Sequence, residues 1–103
     1  MLFNSSDAPS QIWQNVLHEL NRGALDPKHP FRFLTLATSG AQFPQVRTVV
    51  LRQLSSTMEF LVYTDVRTAK VRDLLETPRV SLLFYHPKKQ VQVRVKAIAT
   101  LHV

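Results

Sequence analysis

The chain has 103 residues, 45% hydrophobic content and no cysteine, which suffices for one domain and excludes a disulfide framework or a thiolate site. Thirteen Lys and Arg against seven Asp and Glu give a net charge of +6, which favours an anionic ligand or partner. We expect no targeting segment, because the N-terminal residues lack basic residues and a long apolar stretch, and no run approaches the roughly 20 apolar residues of a membrane helix. We therefore expect a single domain over residues 1–103 in a soluble, cytoplasmic protein with no membrane partner.

The first predicted element is an amphipathic helix over residues 7–22, because apolar residues recur there on one helical face. Pro9 falls in its first turn, and Gly23 is expected to end it in a left-handed conformation. A loop over residues 24–30 follows, since its two prolines disfavour helix.

From Phe31 the apolar period changes from helical spacing to two, which predicts a hairpin of strands 31–38 and 45–54 joined at Ser39-Gly40. In the second strand Arg47 and Arg52 are expected on opposite faces. A third short strand is predicted over residues 58–63. A second helix of about ten residues is then predicted, ending at Thr77-Pro78.

Two further strands are predicted in the last part of the chain. Residues 79–85 form a nearly continuous apolar run, typical of a strand covered on both faces. Residues 90–103 alternate without a break, which predicts a strand of about 46 Å that coils around a barrel. Because this pattern continues to the last residue, we expect either a chain that stops within its domain or a second subunit that covers the open edge.

Two groups of polar residues are candidates for ligand binding. Arg47, Arg52, Thr64 and Lys70 combine two arginines on one strand with a hydroxyl and a lysine at a predicted helix start, which suits a phosphate. The second group is Gln92, Arg94 and Lys96 on one face of the last strand, in which the glutamine amide suits the edge of a heterocycle. By spacing alone, solvated side chains on the surface of a basic protein are the favoured interpretation of both groups.

The residues do not predict a metal site, a glycine-rich phosphate loop or a hydrolytic triad. The four histidines are far apart in the sequence and have no carboxylate at metal-ligand spacing, so no metal site is expected. Gly23 and Gly40 are the only glycines, which excludes glycine-rich phosphate loops. No serine can be placed near both a histidine and an acid, so no hydrolytic triad is expected.

Several motifs occur at matching separations within residues 31–100. They are RTVVLR (47–52), Tyr63-Thr64, Lys70, PRVSLLFY (78–85) and QVRV (92–95). With this order of elements, the chain resembles the pyridoxamine 5'-phosphate oxidase-like family of FMN-binding split barrels. The resemblance implies a mainly β fold with flanking helices, in which about five strands and two helices build a split β-barrel that is incomplete at its C-terminal end.

The resemblance also implies roles for individual residues, with FMN as the cofactor. Arg47 and Lys70 match positions that hold the FMN phosphate, and Thr64 lies beside them. Arg52 matches a basic position near the ring and the substrate phosphate, while Gln92 matches a glutamine that hydrogen-bonds the flavin edge. Thr48, Val49 and Val50 match the strand that runs along the flavin ring. Tyr63 matches the residue before the phosphate-binding threonine.

The sequence departs from the family pattern at two places. Ala69 stands where the oxidases often carry an arginine, and a later segment of the family, with a tryptophan, a flavin-facing arginine and an Arg-His substrate pair, has no counterpart. Since FMN in this family lies between two subunits, the resemblance implies a homodimer. It assigns no catalytic residue.

The expected function is that of an oxidoreductase that moves a hydride from an amine-type or other small substrate to the flavin. One alternative keeps the fold but makes the protein a non-catalytic flavin or deazaflavin binder, or an inactive fragment. Another is a basic nucleic-acid-binding barrel. Phe84 argues against the last, because it lies in an apolar run and few aromatic residues remain to stack on bases.

Overall fold

The computed structural model describes residues 9–40, 42–63, 74 and 76–101, which form a helix packed on a five-stranded antiparallel sheet. Helix α1 (Pro9–Leu25) leads into a 3-10 turn (Pro30–Arg32). The strands are β1 (Phe33–Thr38), β2 (Gln45–Leu54), β3 (Phe60–Val62), β4 (Arg79–His86) and β5 (Val91–Ile98). Their order in the sheet is β3-β2-β1-β4-β5. Within the described residues no helix is long and apolar enough to cross a bilayer.

All five predicted strands are present, and the predicted mainly β fold is confirmed. The bounds of β2 agree with the prediction, whereas β3 is shorter than predicted. Most of the predicted second helix lies outside the described residues. Leu74, which belongs to that segment and is described, is buried in the hydrophobic core.

The sheet has two faces of different character. Its inner face packs against α1 and the 3-10 turn, and its buried side chains are Leu34, Leu36, Val49, Leu51, Val80, Leu82 and Phe84. Its outer face alternates with these positions along each strand. The outer face carries Phe33, Thr35, Ala37, Val46, Thr48, Val50, Arg52, Arg79, Ser81, Leu83, Tyr85, Gln92, Arg94, Lys96 and Ile98.

The prediction that residues 79–85 are covered on both faces does not hold within a single chain. In β4, residues 80, 82, 84 and 86 are buried, but Arg79, Ser81 and Tyr85 are exposed. The described residues supply a covering layer for the inner face only. Alternate residues of the apolar run therefore belong to the core, while Leu83 and Tyr85 lie on the outer face.

The prediction of a fourteen-residue last strand is also wrong. Gln90 belongs to the turn before β5 and has a left-handed φ of 54°. At the other end β5 stops at Ile98, because Ile98 pairs with Arg79, the first residue of β4. Beyond this last pair, the Ala99 amide donates a hydrogen bond to the Pro78 carbonyl at 2.7 Å.

Gly23 does not end α1, in contrast to the prediction, and its φ is not left-handed. The helix continues to Leu25, with Gly23 buried against Phe31. A Cβ atom at Gly23 would lie 2.5 Å from the Phe31 Cβ and 2.8 Å from its carbonyl carbon. Phe31 itself lies in the 3-10 turn, and not in a strand as predicted. Its fully buried ring contacts Phe84 with centroids 5.4 Å apart.

We expect Gly23→Ala to lower the free energy of unfolding by about 1–3 kcal/mol, because the added methyl group overpacks against the Phe31 main chain. This direction is opposite to the gain of about 1 kcal/mol that alanine brings at an unconstrained helix position. Urea denaturation measures the difference. The control is Gln14→Ala on the exposed side of α1, and a stabilised Gly23→Ala variant would contradict the close approach.

Candidate functional site

The two arginines of β2 lie on opposite faces of the sheet, as predicted. Arg47 shares the inner face with Val49 and Leu51 and is half-buried. Its Nη2 donates a hydrogen bond to the Thr38 Oγ1 at 3.0 Å, which holds the guanidinium at the end of β1. Arg47 therefore presents a cation at one end of the core. Thr64 and Lys70, its predicted partners, lie outside the described residues.

The other predicted residues of β2 form part of the outer face. Thr48 and Arg52 are exposed and Val50 is half-buried, while Val49 is buried in the core and offers only its main chain to a ligand. The Arg52 guanidinium lies over the ring of Tyr63, 5.2 Å from its centroid. Tyr63 is 67% exposed, so this stacked pair is open to a ligand.

Gln92 also lies on the outer face, but at the opposite side of the sheet. It pairs with Tyr85 of β4, and both side chains are exposed. Strands β1 and β4 separate β5 from β2, so three strand spacings, about 14 Å, lie between Gln92 and the β2 residues. A single chain therefore groups Thr48, Val50, Arg52 and Tyr63 but does not bring Gln92 to them.

A buried cluster of titratable residues was not predicted. The Glu19 carboxylate, on α1, accepts hydrogen bonds from His29 Nε2 and from Lys89 Nζ, the latter at 2.6 Å. The ligand atoms of Glu19, His29 and His86 lie within 4.8 Å of one another. The histidines that are distant in the sequence thus meet a carboxylate in space. The sequence carried one signal, since Glu19 interrupts the apolar stripe of α1 beside Leu20.

The hydrogen bonds of this cluster determine which ring nitrogen of each neutral histidine carries the proton. His29 Nδ1 accepts from the Phe31 amide at 3.0 Å, and His86 Nδ1 accepts from the Lys89 amide at 3.2 Å. Each neutral ring must then carry its proton on Nε2, the nitrogen that a metal would need. Metal-bound histidines instead donate from the second ring nitrogen. The cluster therefore joins α1 to the end of β4 and its turn through ionic hydrogen bonds.

Two pKa values are displaced by this arrangement. Burial by itself would raise the pKa of Glu19, but the hydrogen bonds from Lys89 and His29 outweigh it and hold the pKa below the ordinary 4.5. Burial lowers the pKa of His86 below 6.5, although the negative charge of Glu19 opposes that shift. The fold thus favours an ionised Glu19 beside a neutral His86.

Comparison with known proteins identifies the sequence relatives of this chain. The family model described as pyridoxamine 5'-phosphate oxidase, FMN-binding domain, matches residues 10–103. A pyridoxine/pyridoxamine 5'-phosphate oxidase of Azorhizobium caulinodans is 32% identical over 95 residues, covering 91% of this chain and 43% of that protein. One of Anaeromyxobacter dehalogenans is 34% identical over 82 residues, covering 79% and 41%. The chain thus spans less than half the length of these relatives.

A solved structure supports the same fold. A pyridoxamine 5'-phosphate oxidase-related, FMN binding protein from Nostoc punctiforme superposes with a TM-score of 0.69 at 27% sequence identity. The match covers 92% of this chain and 49% of that one. The curled five-stranded sheet is therefore half of a split barrel, and the predicted fold class is confirmed.

We expect acidification to destabilise the protein in two steps. Below pH 6.5 His86 binds a proton more readily in the unfolded chain than in the folded chain, because folding lowers its pKa. Below pH 4.5 the same holds for Glu19. Stability is therefore highest above pH 6.5 and is lost as the pH falls through the two folded-state pKa values. Urea denaturation at a series of pH values measures this profile.

His86→Asn is expected to flatten the profile between pH 7 and pH 5, because the asparagine oxygen can accept from the Lys89 amide without titrating there. The matched control is His18→Asn on the exposed side of α1. An unchanged slope in His86→Asn would assign the acid sensitivity to another group.

Proposed function

The chain belongs to the pyridoxamine 5'-phosphate oxidase FMN-binding domain family, and on that premise we propose that residues 1–103 form one flavin-binding domain of the oxidoreductase type. FMN is its cofactor. We assign the predicted residues to FMN as follows: Arg47, with Thr64 and Lys70, binds the phosphate, and Tyr63 precedes the phosphate-binding Thr64. Thr48, Val49 and Val50 lie along the ring, with Arg52 near it. Gln92 hydrogen-bonds the flavin edge.

The chemistry of the described residues fits this cofactor. A phosphate needs a cation in a defined position, and the hydrogen bond to Thr38 positions Arg47. A flavin ring needs an apolar wall, and Val50 and the neighbouring Phe33, which is 55% exposed, supply one. The polar edge of the ring needs an amide, which Gln92 supplies.

The observation that carries the proposal is that Thr48, Val50, Arg52 and Gln92 share one sheet face that the described residues leave uncovered, while Arg47 lies on the inner face at the end of β1. Gln92 lies about 14 Å from the β2 residues of its own chain, which is too far for both to contact the same end of one ring. We therefore propose a homodimer in which the β5 strand of one copy faces the β2 strand of the other. The exposed apolar side chains of the outer face, Phe33, Val46, Tyr85 and Ile98, supply the contact area.

FMN, when bound, supplies a hydride acceptor for an amine-type or other small substrate. The residues of this chain position the cofactor and set the charge around it. None of the five strands contains an acidic residue, and the outer face presents Arg52, Arg79, Arg94 and Lys96. Such a face attracts anionic substrates and offers no carboxylate as a base.

We expect the 103-residue chain to bind FMN with higher affinity than riboflavin, and Arg47→Ala to remove most of that difference. Loss of one charge-assisted hydrogen bond to the phosphate corresponds to about 1.5–3 kcal/mol, a roughly 10- to 150-fold weaker FMN affinity. Flavin fluorescence titration measures both ligands. Lys70→Ala is expected to act in the same direction.

Arg22→Ala is the matched control, because Arg22 is an exposed cation on α1 that pairs only weakly with Asp26. Far-UV circular dichroism establishes that each variant is folded. Equal affinities of the intact chain for FMN and riboflavin would contradict the phosphate assignment. FMN binding without oxidation of any amine tested would instead favour a non-catalytic flavin binder.

We expect the chain to sediment as a dimer in the presence of FMN, and Phe33→Glu to produce monomers with weakened FMN binding. A carboxylate at residue 33 would be buried without a partner in the proposed interface. Leu25→Glu is the control, since Leu25 is equally apolar and 83% exposed but lies at the end of α1. A Phe33→Glu variant that remains dimeric would place the interface elsewhere.

A further inference from the structure

Lys89 attaches the β4–β5 turn (residues 87–90) to the core through two hydrogen bonds. Its amide donates to His86 Nδ1 at 3.2 Å, and its Nζ donates to the Glu19 carboxylate at 2.6 Å. Both acceptors are buried, whereas the Lys89 side chain is 39% exposed. The β4–β5 turn is thus attached to the core through two groups that can take up a proton.

The backbone of this turn is locally unfavourable. Gln90, its last residue, has a φ of 54°, in the left-handed region where a Cβ atom crowds the following carbonyl oxygen. Val91 comes next and pairs with His86 as the closing pair of the β4–β5 hairpin. A conformation of this kind persists only where surrounding contacts retain it, and the two hydrogen bonds of Lys89 are such contacts.

A proton on His86 Nδ1 is incompatible with this arrangement. In the neutral ring Nδ1 is an acceptor, and protonation makes it a donor that faces the donating Lys89 amide. The new positive charge also lies in a cluster that already contains the Lys89 ammonium group. Both effects drive Lys89 away from the core.

The groups that face His86 come from α1, the 3-10 turn with its preceding loop, and the β4–β5 turn. Glu19 contributes a negative charge and Lys89 a positive one, and the His29 ring lies edge-on with centroids 5.5 Å apart. Phe31 presents an apolar ring, with centroids 6.2 Å apart. The Glu19 carboxylate already binds Lys89 and His29, so a protonated His86 competes with Lys89 for it.

We propose that the β4–β5 turn is a pH-operated switch: protonation of His86 releases Lys89 and opens the turn, which lowers the affinity of the chain for flavin. The second step rests on the proposed function, in which Gln92 hydrogen-bonds the flavin edge. Gln92 pairs with Tyr85, directly next to the closing pair of the hairpin. Opening of the turn separates that closing pair and so displaces the Gln92 amide.

The first step is tested without flavin, by two-dimensional amide NMR of the 103-residue chain between pH 7.5 and pH 5. Burial lowers the pKa of His86 below 6.5, so the turn is closed at the upper limit. The Lys89 and Gln90 amide resonances are expected to titrate with the midpoint of the His86 ring. Below that midpoint the Lys89 amide shift is expected to show the steeper temperature dependence of an amide without an intramolecular hydrogen bond.

Three variants test which group operates the turn. His86→Asn is expected to keep it closed throughout, because the asparagine oxygen accepts from the Lys89 amide and does not titrate. His18→Asn, on the exposed side of α1, is the matched control and is expected to titrate like the wild type. Lys89→Gln removes a positive charge beside His86, so it is expected to move the midpoint of the ring, and of the turn with it, to higher pH.

The second step is tested by fluorescence titration with riboflavin at pH 7.5 and pH 5. Riboflavin lacks the phosphate, whose second ionisation at about pH 6 would itself change FMN affinity. The wild-type chain is expected to bind riboflavin roughly two- to tenfold more weakly at pH 5, the effect of one net hydrogen bond. His86→Asn is expected to change less than about twofold, and Gln92→Ala to bind weakly at both pH values. Far-UV circular dichroism establishes that each chain is folded at both.

Three results would overturn the proposal. Lys89 and Gln90 resonances that do not follow the His86 ring would show that its protonation does not open the turn. A transition that persists in His86→Asn and disappears in His29→Asn would assign the proton to the other ring. A turn that opens while riboflavin affinity stays constant would exclude its control of flavin binding. Absence of riboflavin binding at pH 7.5 would contradict the proposed function and the second step, while the NMR titration decides the first step independently.

Discussion

The packing of Phe31 between α1 and β4 determines which side of the sheet is available to a ligand. Its ring is fully buried, contacts Phe84, and approaches Gly23 so closely that the helix has no room for a side chain there. This contact places α1 on the inner face. With one helix on one face, the described sheet keeps its other face open, and apolar side chains remain exposed there. The core thus decides which face a flavin ring or a second copy can contact, while Arg47 offers its cation from the inner face at the end of β1.

Electrostatics reinforces the same division between the two faces. The buried carboxylate of Glu19 is compensated by Lys89 and His29, so that a negative charge is stabilised where α1 meets the end of β4. Removing one partner of such a buried pair is far more costly than losing a surface pair. The outer face has only cations among its charged strand residues. Anions are therefore attracted to the face that packing leaves open.

Alternation of apolar residues predicted where the strands lie, because a period of two is a local property of the chain. The sequence pattern failed to predict features that depend on contacts between residues distant in the sequence. Gly23 was predicted to end the helix, but the neighbouring Phe31 requires a glycine inside it. The last strand stops at Ile98 because its pairing partner begins at Arg79, a limit that the pattern of residues 90–103 does not contain. Likewise, only the fold brings His86 and His29 to Glu19.

The family motifs assign residues to FMN but do not predict how one chain groups them, because strand order decides the grouping. With β1 and β4 between β2 and β5, the β2 residues predicted to line the flavin ring and Gln92 lie at opposite sides of one face. A two-fold interface uses the same patch on both copies, so a contact between β2 of one and β5 of the other occurs twice. The proposed dimer then has two equivalent flavin sites, each built from both copies. A ligand that binds only the assembled site stabilises the assembly by mass action, so that FMN binding and association are linked.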